Sequence, residues 1–389
     1  MSEYIVVGAG LAGAATAWEL TSRGENVTVL ERSTPANDAG SSHGSARIFR
    51  YAYTDPLYTQ LLVKAKRRWD ELEETGGVQL ITRTGSVDHG PVRDVAQLAP
   101  ILDAAGVENE LLSAADAQAR WPQFAFDTEV LWHPDAGVLD AQTTVETMLR
   151  LAEGTGHARV LTDWTVAGIE RRAIGGFTVR STSGEVIGGD VVVVAAGGWL
   201  PSLLGDLALP TGFIESFPTL EVRQEQAFHL PYRDESGGVQ AGQTGGGEFG
   251  VWPTSIHMTP ETIVYSLPGG RDAGFRGQKI AEFNGGPVID SALDQDGQIR
   301  PEMREKMVDY ATRYLPGVVP EPYAETTCLF TNTSSEDFVI DVADGVVVVS
   351  ACSGHGAKFA PLLGELAADL ATGAGTVPDQ FRVAAHRGR

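Results

Sequence analysis

The sequence is poor in cysteine and in basic residues. Its 389 residues include two cysteines, Cys328 and Cys352, too few for a disulfide framework, which predicts a reducing compartment. The 29 Lys and Arg residues against 51 Asp and Glu give a net charge of −22, which argues against nucleic acid or anionic membranes as partners. No apolar run approaches the ~20 residues of a membrane-spanning helix. Because a predicted strand at Tyr4 leaves no room for a signal peptide, we expect a cytoplasmic protein.

The first residues carry a dinucleotide-binding pattern. Residues 4–7 predict a short apolar strand that runs into the motif Gly8-x-Gly10-x-x-Gly13, after which a helix and a second strand follow. Gly8 permits a tight turn, Gly10 lets the backbone approach a pyrophosphate, and Gly13 lets the helix pack closely on the strand. Glu31 ends the second strand, where a carboxylate can accept hydrogen bonds from ribose hydroxyls. This order of elements predicts a βαβ nucleotide-binding unit.

Further features favour FAD over NAD, although both cofactors use this pattern. Residues 191–198 form an apolar run that ends in glycines and resembles a second flavoprotein signature. Gly354-His355-Gly356 precedes a predicted helix whose N-terminus suits the polar edge of a flavin. A second GxGxxG is absent, which argues against a separate nicotinamide site. CxxC and HExxH spacings are also absent, and we expect no metal.

The fold class predicted from these patterns is α/β, or α+β overall. Asp55 and Asp140 are predicted to cap helices, and strand-like pieces surround a glycine-dense stretch at 237–250 that we interpret as a loop or hairpin. We expect a Rossmann-like FAD-binding domain interrupted by an antiparallel-sheet substrate domain. The predicted FAD-binding domain comprises residues 1–80, 140–217 and 322–389, and the substrate domain comprises 81–139 and 218–321.

Four segments carry a family resemblance. They are SHGSARIFR with YAY at 42–53, PDAGVL at 134–139, TCLF with EDFVID between 327 and 341, and CSGHGAKF at 352–359. Together they resemble the monomeric sarcosine oxidase and N-methyltryptophan oxidase branch of the amine-oxidising flavoproteins. Wider relatives include pipecolate, Amadori-product and glycine oxidases. The resemblance covers nearly the whole chain and is weakest between about 205 and 320.

The resemblance implies an FAD-dependent oxidase of a secondary amino acid, either N-methyl or cyclic. Such an enzyme oxidises the C–N bond to an imine and reduces O₂ to H₂O₂, so its partners are a small amine and O₂. The family name also implies a monomer. Cys328 matches the residue that forms a thioether to the flavin in the family. A buried structural cysteine is the alternative for Cys328, and we interpret Cys352 as a core residue.

The resemblance also assigns the substrate and catalytic residues. Arg50 and Lys358 match the pair that holds the substrate carboxylate, in keeping with the bidentate fork of arginine. Tyr265 matches a pocket tyrosine, and Arg47 matches an arginine near the flavin ring. Lys279 matches the lysine that activates O₂, with an exposed strand lysine as the alternative. The predicted cofactor-binding set comprises Gly8, Gly10, Leu11, Ala12, Gly13, Glu31, Arg32, Ser42, His43, Arg47, Val166, Ala196, Gly197, Trp199, Cys328, Gly354, His355, Gly356 and Lys358.

Other functions remain open from the sequence. One alternative is a flavin-dependent amine dehydrogenase, or an oxidase of a non-carboxylated or sugar-linked amine. Another is a flavoprotein subunit that binds flavin without turnover. The joint presence of Cys328, Lys279 and Lys358 argues against the subunit. A family histidine is replaced by Phe283, which changes the expected polarity of the substrate pocket.

Overall fold

The structure is a computed structural model that describes residues 2–233 and 252–387. The predicted loop or hairpin at 237–250 lies outside these residues. Within the described ranges the helices are α1 (Leu11–Ser22), α2 (Pro56–Gly76), α3 (Val95–Ala104), α4 (Ala114–Arg120), α5 (Ala141–Gly154), α6 (Leu200–Leu203), α7 (Thr211–Ser216), α8 (Pro301–Tyr314) and α9 (Ala360–Thr372). In this part of the chain, no helix combines the length and apolarity needed to cross a membrane.

The described strands fall into four sheets. The first eleven are β1 (Glu3–Val7), β2 (Asn26–Leu30), β3 (Arg47–Phe49), β4 (Ile81–Arg83), β5 (Ser86–His89), β6 (Glu110–Leu112), β7 (Val130–His133), β8 (Gly137–Leu139), β9 (Ala158–Leu161), β10 (Val166–Arg171) and β11 (Phe177–Ser181). The others are β12 (Val186–Gly189), β13 (Val191–Val194), β14 (Glu221–Pro231), β15 (Thr254–Met258), β16 (Ile263–Pro268), β17 (Gly277–Glu282), β18 (Val288–Ile289), β19 (Ala324–Asn332), β20 (Val339–Ala343) and β21 (Val346–Ser350).

A six-stranded sheet in the order β20-β21-β13-β1-β2-β9 forms the nucleotide-binding half. All its neighbouring strands run parallel except β20 and β21. Strand β1 alternates, with Tyr4 and Val6 in the core formed with the helices, and Ile5 and Val7 in the core formed with the small sheet β10-β11-β12. Strand β13 is buried on both faces, an environment that suits its continuous run of valines. The doubly covered sheet confirms the predicted fold class.

A nine-stranded, largely antiparallel sheet forms the other half. Its order is β18-β14-β17-β16-β15-β5-β7-β6, and β19 pairs with β14. Helix α8 packs Met303 and Met307 against this sheet in one core with Phe228 and Ile280. Strand β19 belongs to this sheet along its whole length, whereas the predicted boundary at 322 assigns it to the FAD-binding domain. The division into domains itself stays a prediction.

Local sequence signals explain where the helices near the site begin and end. The Asp55 carboxylate accepts a hydrogen bond from the Leu57 N–H at 2.9 Å, and the Asp140 carboxylate accepts one from the Thr143 N–H at 2.9 Å. Gly77 ends α2 in the left-handed conformation. Helix α1 begins at Leu11, directly after the glycine motif, with Gly10 as its N-cap.

The glycine turn between β1 and α1 leaves no room for side chains. Gly8 has a φ of +97°, and a Cβ there would lie 2.5 Å from the Ala195 carbonyl oxygen. A Cβ on Gly13 would lie 1.9 Å from the Gly8 carbonyl oxygen. The turn, the helix and strand β13 therefore pack backbone against backbone.

Replacing Gly13 with alanine tests this packing. Because the new Cβ would overlap the Gly8 carbonyl, we expect the free energy of unfolding to fall by about 2 kcal/mol or more. Gly154→Ala is the matched control, since a Cβ on this last residue of α5 meets nothing within 4 Å. We expect the control to be neutral or to stabilise by up to about 1 kcal/mol. Denaturant titration measures both variants, and equal stabilities would contradict the account.

Candidate functional site

Two adjoining cavities lie where the two large sheets meet. The first, of about 420 Å³, begins at the glycine turn after β1. Most of the predicted cofactor-binding residues line it: Gly8, Gly10, Leu11, Ala12, Glu31, Arg32, Ser42, Arg47, Val166, Ala196, Gly197, Trp199, Cys328, Gly354 and Gly356. The fold therefore collects residues from seven separate segments of the chain around one space.

The start of α1 offers backbone donors to this cavity. Gly10 caps the helix without a side-chain hydrogen bond, and the Leu11 N–H donates to Ser42 Oγ at 3.0 Å. The buried Glu31 carboxylate accepts hydrogen bonds from the Ala9 N–H at 2.8 Å and the Ser33 N–H at 3.0 Å. Each carboxylate oxygen keeps a further acceptor position. The turn thus suits a pyrophosphate at the helix N-terminus and a ribose at the acid.

The opposite part of the first cavity contains a stacked cation and an unpaired donor. The Arg32 guanidinium lies 4.4 Å from the centre of the Trp199 ring. Trp199 Nε1 is buried and has no hydrogen-bond partner among the described residues. A buried indole N–H normally finds an acceptor, so this cavity wall fits a ligand that carries one. The glycine turn, Glu31 and this unpaired donor together fit a dinucleotide such as FAD.

The second cavity, of about 520 Å³, shares a wall with the first. Five residues line both cavities: Arg47, Cys328, Phe330, Gly354 and Ala357. The predicted substrate and catalytic residues Arg50, Tyr265, Lys279 and Lys358 line the second, as does His355. A ligand at the shared wall can therefore contact residues of both cavities.

Lys358 and Tyr53 anchor a hydrogen-bonded network in the second cavity. Lys358 Nζ donates to the Tyr53 hydroxyl at 3.2 Å and to the His355 carbonyl oxygen at 2.8 Å. The Tyr53 hydroxyl lies 3.2 Å from His355 Nδ1, and His355 Nε2 lies 2.9 Å from the Glu336 carbonyl oxygen. Burial and the charges of Lys358 and Arg50 lower the pKa of His355 to about 3. Burial and the neighbouring Arg50 hold the pKa of Lys358 well below its usual value. An anion placed here would relieve both effects.

Lys279 lines this cavity and is an electrostatic neighbour of Arg47, which belongs to the shared wall. Its Nζ donates to the Ala46 carbonyl oxygen at 3.3 Å, and the residue is only 5% exposed. The alternative of an exposed strand lysine is therefore wrong. Burial and the charge of Arg47 lower the pKa of Lys279 to about 8. Burial raises the pKa of the Cys328 thiol, while Arg47 and Lys279 oppose that shift.

A buried ion pair closes the far side of the second cavity. Arg93 Nε and Nη2 donate to one Asp88 oxygen at 2.9 Å and 2.5 Å. The other Asp88 oxygen lies 3.2 Å from His133 Nε2. Asp88 is fully buried, and the charge of Arg93 together with the His133 hydrogen bond holds its pKa well below the usual range despite burial. Arg93 Nη2 also donates to the Ala52 carbonyl oxygen at 3.0 Å.

The remaining wall of the second cavity is largely apolar. Ile256, Met258 and Ile263 line it, and Phe283 stands where the family has a histidine. The Phe283 and Phe330 rings lie 5.8 Å apart. This wall suits the hydrocarbon part of a small ligand.

Two predicted cofactor residues do not line either cavity. Gly13 instead packs α1 on the glycine turn, where its lack of a Cβ is required. His43 is partly buried near Arg47 and Lys279, and burial together with these two cations lowers its pKa to about 4, so it is neutral at pH 7. Cys352, interpreted as a core residue, is half-buried and lines the first cavity.

Sequence reasoning missed Arg93, Asp88 and the cavity role of Tyr53. Tyr53 stands in a segment that carries the family resemblance, and its aromatic neighbours could have drawn attention to it. Asp88 lies in β5 and Arg93 lies in the loop after it. The local sequence patterns of this region are mixed. Their place in the site depends on the pairing of β5 with β15, which no local pattern predicts.

Comparison with known proteins identifies the family of this chain. A family model described as "FAD dependent oxidoreductase" matches residues 3–370. The chain belongs to this family of FAD-dependent oxidoreductases, which confirms the predicted membership, the enzyme class and FAD as the cofactor.

Individual relatives extend the comparison. The chain is 28% identical to N-methyl-L-tryptophan oxidase of Yersinia pestis (strain Pestoides F), over 94% of each chain. Its fold is similar to that of NikD, "an unusual amino acid oxidase essential for nikkomycin biosynthesis", with a TM-score of 0.81 at 24% identity over 98% of this chain and 96% of NikD. It is also similar to L-proline dehydrogenase from P. horikoshii, with a TM-score of 0.79 at 20% identity over 98% and 97% of the two chains.

Asp88→Asn tests the buried ion pair. Because the variant leaves the Arg93 guanidinium without its charge partner, we expect the free energy of unfolding to fall by about 3 kcal/mol or more. Adding Arg93→Met should restore most of that loss. Asp135→Asn is the control, since Asp135 pairs with Arg83 at the surface and should lose less than about 1 kcal/mol. Denaturant titrations of the wild type and the three variants measure these free energies of unfolding. Equal losses in Asp88→Asn and Asp135→Asn would contradict the account.

Proposed function

We propose that this chain is an FAD-dependent oxidase of a secondary amino acid, N-methyl or cyclic, that yields an imine and H₂O₂. One observation carries the proposal: the cavity that fits the dinucleotide shares the wall of Arg47 and Cys328 with a cavity that presents Arg50 and Lys358. When bound, FAD supplies a two-electron acceptor that O₂ can reoxidise. The name of the N-methyl-L-tryptophan oxidase relative supports the amine substrate. We further propose a monomer that acts in the cytoplasm.

Arg50 and Lys358 bind the substrate carboxylate in this proposal. Both face an enclosed cavity of an otherwise acidic protein, where fixed cations stabilise an anion more strongly than they would in water. The fixed carboxylate directs the amine toward the shared wall, which replaces a bimolecular encounter with a held geometry.

The same cations favour the reactive form of the amine. An amine gives up electrons as the neutral base, and nearby positive charges disfavour its ammonium form. Burial and the charges of Lys358 and Arg50 lower the pKa of His355 to about 3, so this imidazole is neutral where it contacts the Tyr53 hydroxyl. Tyr265 stays a neutral phenol, because burial raises its pKa well above the usual value. It positions the substrate by contact and hydrogen bonding.

Cys328 holds the flavin covalently in this proposal. Its Sγ would bond to the 8α-methyl carbon, with loss of the thiol proton, one methyl proton and two electrons, which O₂ accepts to give H₂O₂. The nearby cations Arg47 and Lys279 favour the thiolate that such a bond requires. The position of Cys328 on the wall common to both cavities supports this role.

Lys279 promotes the reaction with O₂. The first electron transferred to O₂ creates superoxide, and a buried ammonium next to the shared wall stabilises that charge. Arg47 adds a second positive charge on the same side. This buried pair of cations favours an oxidase over an amine dehydrogenase.

Anaerobic reduction of the flavin tests the proposed function. We expect at least one of sarcosine, N-methyl-L-tryptophan, L-proline and L-pipecolate to bleach the flavin, and air to restore it with release of H₂O₂. A fructosyl amino acid and glycine serve as comparison substrates. Lys358→Met should weaken binding of the reactive amine while dithionite still reduces the flavin.

Each contrary result has a distinct meaning. Reduction by an amine without rapid reoxidation in air would identify a dehydrogenase. A flavin that dithionite bleaches and no amine bleaches would contradict the proposed function and favour a non-catalytic flavoprotein.

Cys328→Ser tests the covalent link. We expect the wild-type protein to keep its flavin after acid precipitation and its intact mass to include FAD, because a thioether survives denaturation. The Cys328→Ser variant should release all its flavin. Cys352→Ser, which changes the other cysteine of the same cavity, should retain the link. Release of flavin by the wild type, or retention by Cys328→Ser, would contradict the assignment.

The pH dependence of reoxidation tests Lys279. Since its pKa is lowered to about 8, the ammonium is present below that pH and is lost as pH rises through it. We expect the rate constant for reoxidation by O₂ to fall over the same range, as measured by stopped-flow absorbance. Lys279→Met should slow reoxidation on the order of 10²-fold and remove this pH dependence. Lys306→Met, at an exposed position of α8, is the control. A wild-type rate that is flat across pH 8 would contradict the role.

A further inference from the structure

The second cavity contains a cation that the proposed chemistry does not use. Arg93 lies in the loop between β5 and α3, and its side chain is 8% exposed. It lines the second cavity and not the first, so it lies away from the wall that faces the flavin. Binding of one α-carboxylate by Arg50 and Lys358 leaves Arg93 without a ligand.

The guanidinium groups of Arg50 and Arg93 converge on one carbonyl oxygen. Arg93 Nη2 donates to the Ala52 oxygen at 3.0 Å, and Arg50 Nη1 donates to the same oxygen. The Arg50 guanidinium lies 4.7 Å from the centre of the Tyr53 ring, and the Tyr53 hydroxyl accepts a hydrogen bond from Lys358. Lys358, Arg50 and Arg93 therefore form a continuous row of cations along one cavity wall.

This row of cations carries more positive charge than one carboxylate balances. Asp88 neutralises one of the three charges, because it is fully buried and pairs directly with Arg93. Glu336 also lines the cavity and is an electrostatic neighbour of Arg50, but it is exposed, so water weakens this attraction. The two other lining acids form hydrogen bonds outside the row of cations. Asp55 caps α2, and Asp337 accepts hydrogen bonds from Tyr58 and Gln380. Within the described residues, neither Arg50 nor Lys358 forms an ion pair with a carboxylate, so the row keeps positive charge for a ligand.

Both guanidinium groups also have donors to spare. Among residues 2–233 and 252–387, Nη1 of Arg93 and Nη2 of Arg50 have no hydrogen-bond partner. A guanidinium fork in an enclosed cavity binds carboxylates with two parallel hydrogen bonds. The apolar wall of Ile256, Met258 and Ile263 can pack against a short hydrocarbon segment between two such groups.

We propose that the substrate is a secondary amino acid with a second carboxylate, which binds to Arg93 together with Arg50. This inference rests on the proposed function and narrows its substrate class. The second carboxylate would stand either on the α side chain, as in N-methyl-L-aspartate, or on the nitrogen substituent, as in iminodiacetate. Arg93 then determines specificity for the acidic substrate, while Lys358 and Arg50 hold the α-carboxylate.

A purely structural role for Arg93 makes different predictions. If Arg93 only supports Asp88 and the Ala52 carbonyl, its replacement should affect every ligand of the cavity equally. If it binds the second carboxylate, replacement should selectively weaken ligands that carry one. Pairs of ligands with the same shape and different charge separate the two roles.

Binding of glutarate and of its monoamide, glutaramate, to the flavin-loaded protein provides this comparison. Titrations followed by flavin absorbance should give a Kd for glutarate at least about tenfold lower than that for glutaramate. Arg93→Gln should remove this preference, and Arg93→Lys should keep part of it. Arg83→Gln, at an exposed arginine outside the cavity, should leave the preference unchanged. Equal affinities in the wild type, or an equal loss for both ligands in Arg93→Gln and Arg93→Lys, would overturn the inference.

Turnover separates this inference from the proposed function. We expect kcat/KM for N-methyl-L-aspartate or iminodiacetate to exceed that for N-methyl-L-asparagine or sarcosine at least about tenfold, and Arg93→Gln to abolish the difference. Whichever diacid is preferred shows where the second carboxylate stands. Oxidation of neutral substrates with no preference for diacids would overturn the inference and leave the proposed function intact. An Arg93-dependent preference for glutarate without oxidation of any amine would instead overturn the proposed function, and the substrate assignment with it.

Discussion

The wall shared by the two cavities is the constraint on which the site depends. Arg47 reaches this wall from β3, Cys328 and Phe330 from β19, and Gly354 and Ala357 from the turn before α9. These segments meet only because β19 pairs with β14 of the antiparallel sheet while β21 lies next to β13 in the parallel sheet. Both sheets must therefore form, with these strand pairings, before a dinucleotide and a small ligand can contact each other.

The site also contains several buried positive charges. The chain has a net charge of −22, yet Arg47, Lys279 and Lys358 all lie in its interior cavities. Burial and a neighbouring arginine lower the pKa of each lysine: Arg47 acts on Lys279, and Arg50 acts on Lys358. Asp88 balances the charge of Arg93. Isolated buried charges destabilise a fold, so such an arrangement indicates ligands that are themselves anionic. These buried cations are consistent with a flavin on one side of the shared wall and a carboxylate on the other.

The nucleotide-binding half was largely predictable because its signals are local. The glycines of the turn, Glu31 and the valine-rich strand β13 each follow from short-range geometry, and the structure places them as expected. Residues recognised by resemblance, such as Arg50 and Lys358, also lie together in the second cavity. Their assigned roles stay predictions, since position alone does not test chemistry.

Residues placed by long-range pairing were not predictable in the same way. Arg93 enters the cavity because β5 pairs with β15, which is remote in sequence, and a single arginine in a loop gives no local signal of that contact. Cys352 was interpreted as a core residue because the resembling family commonly has an apolar residue there, but it lines the first cavity. His43 was expected beside the flavin, but it lines neither cavity. Both residues lie outside the strands, in loops where a local sequence pattern does not determine the direction of a side chain.

A crystal structure of the flavin-loaded protein with bound propionate would test the central claim most directly. We predict a flavin ring at the wall of Arg47 and Cys328, with its diphosphate along the turn from Gly8 to the start of α1. The propionate carboxylate should lie on the opposite side of the ring, in contact with Arg50 and Lys358. A flavin ring away from the shared wall, or a carboxylate bound elsewhere, would contradict the account.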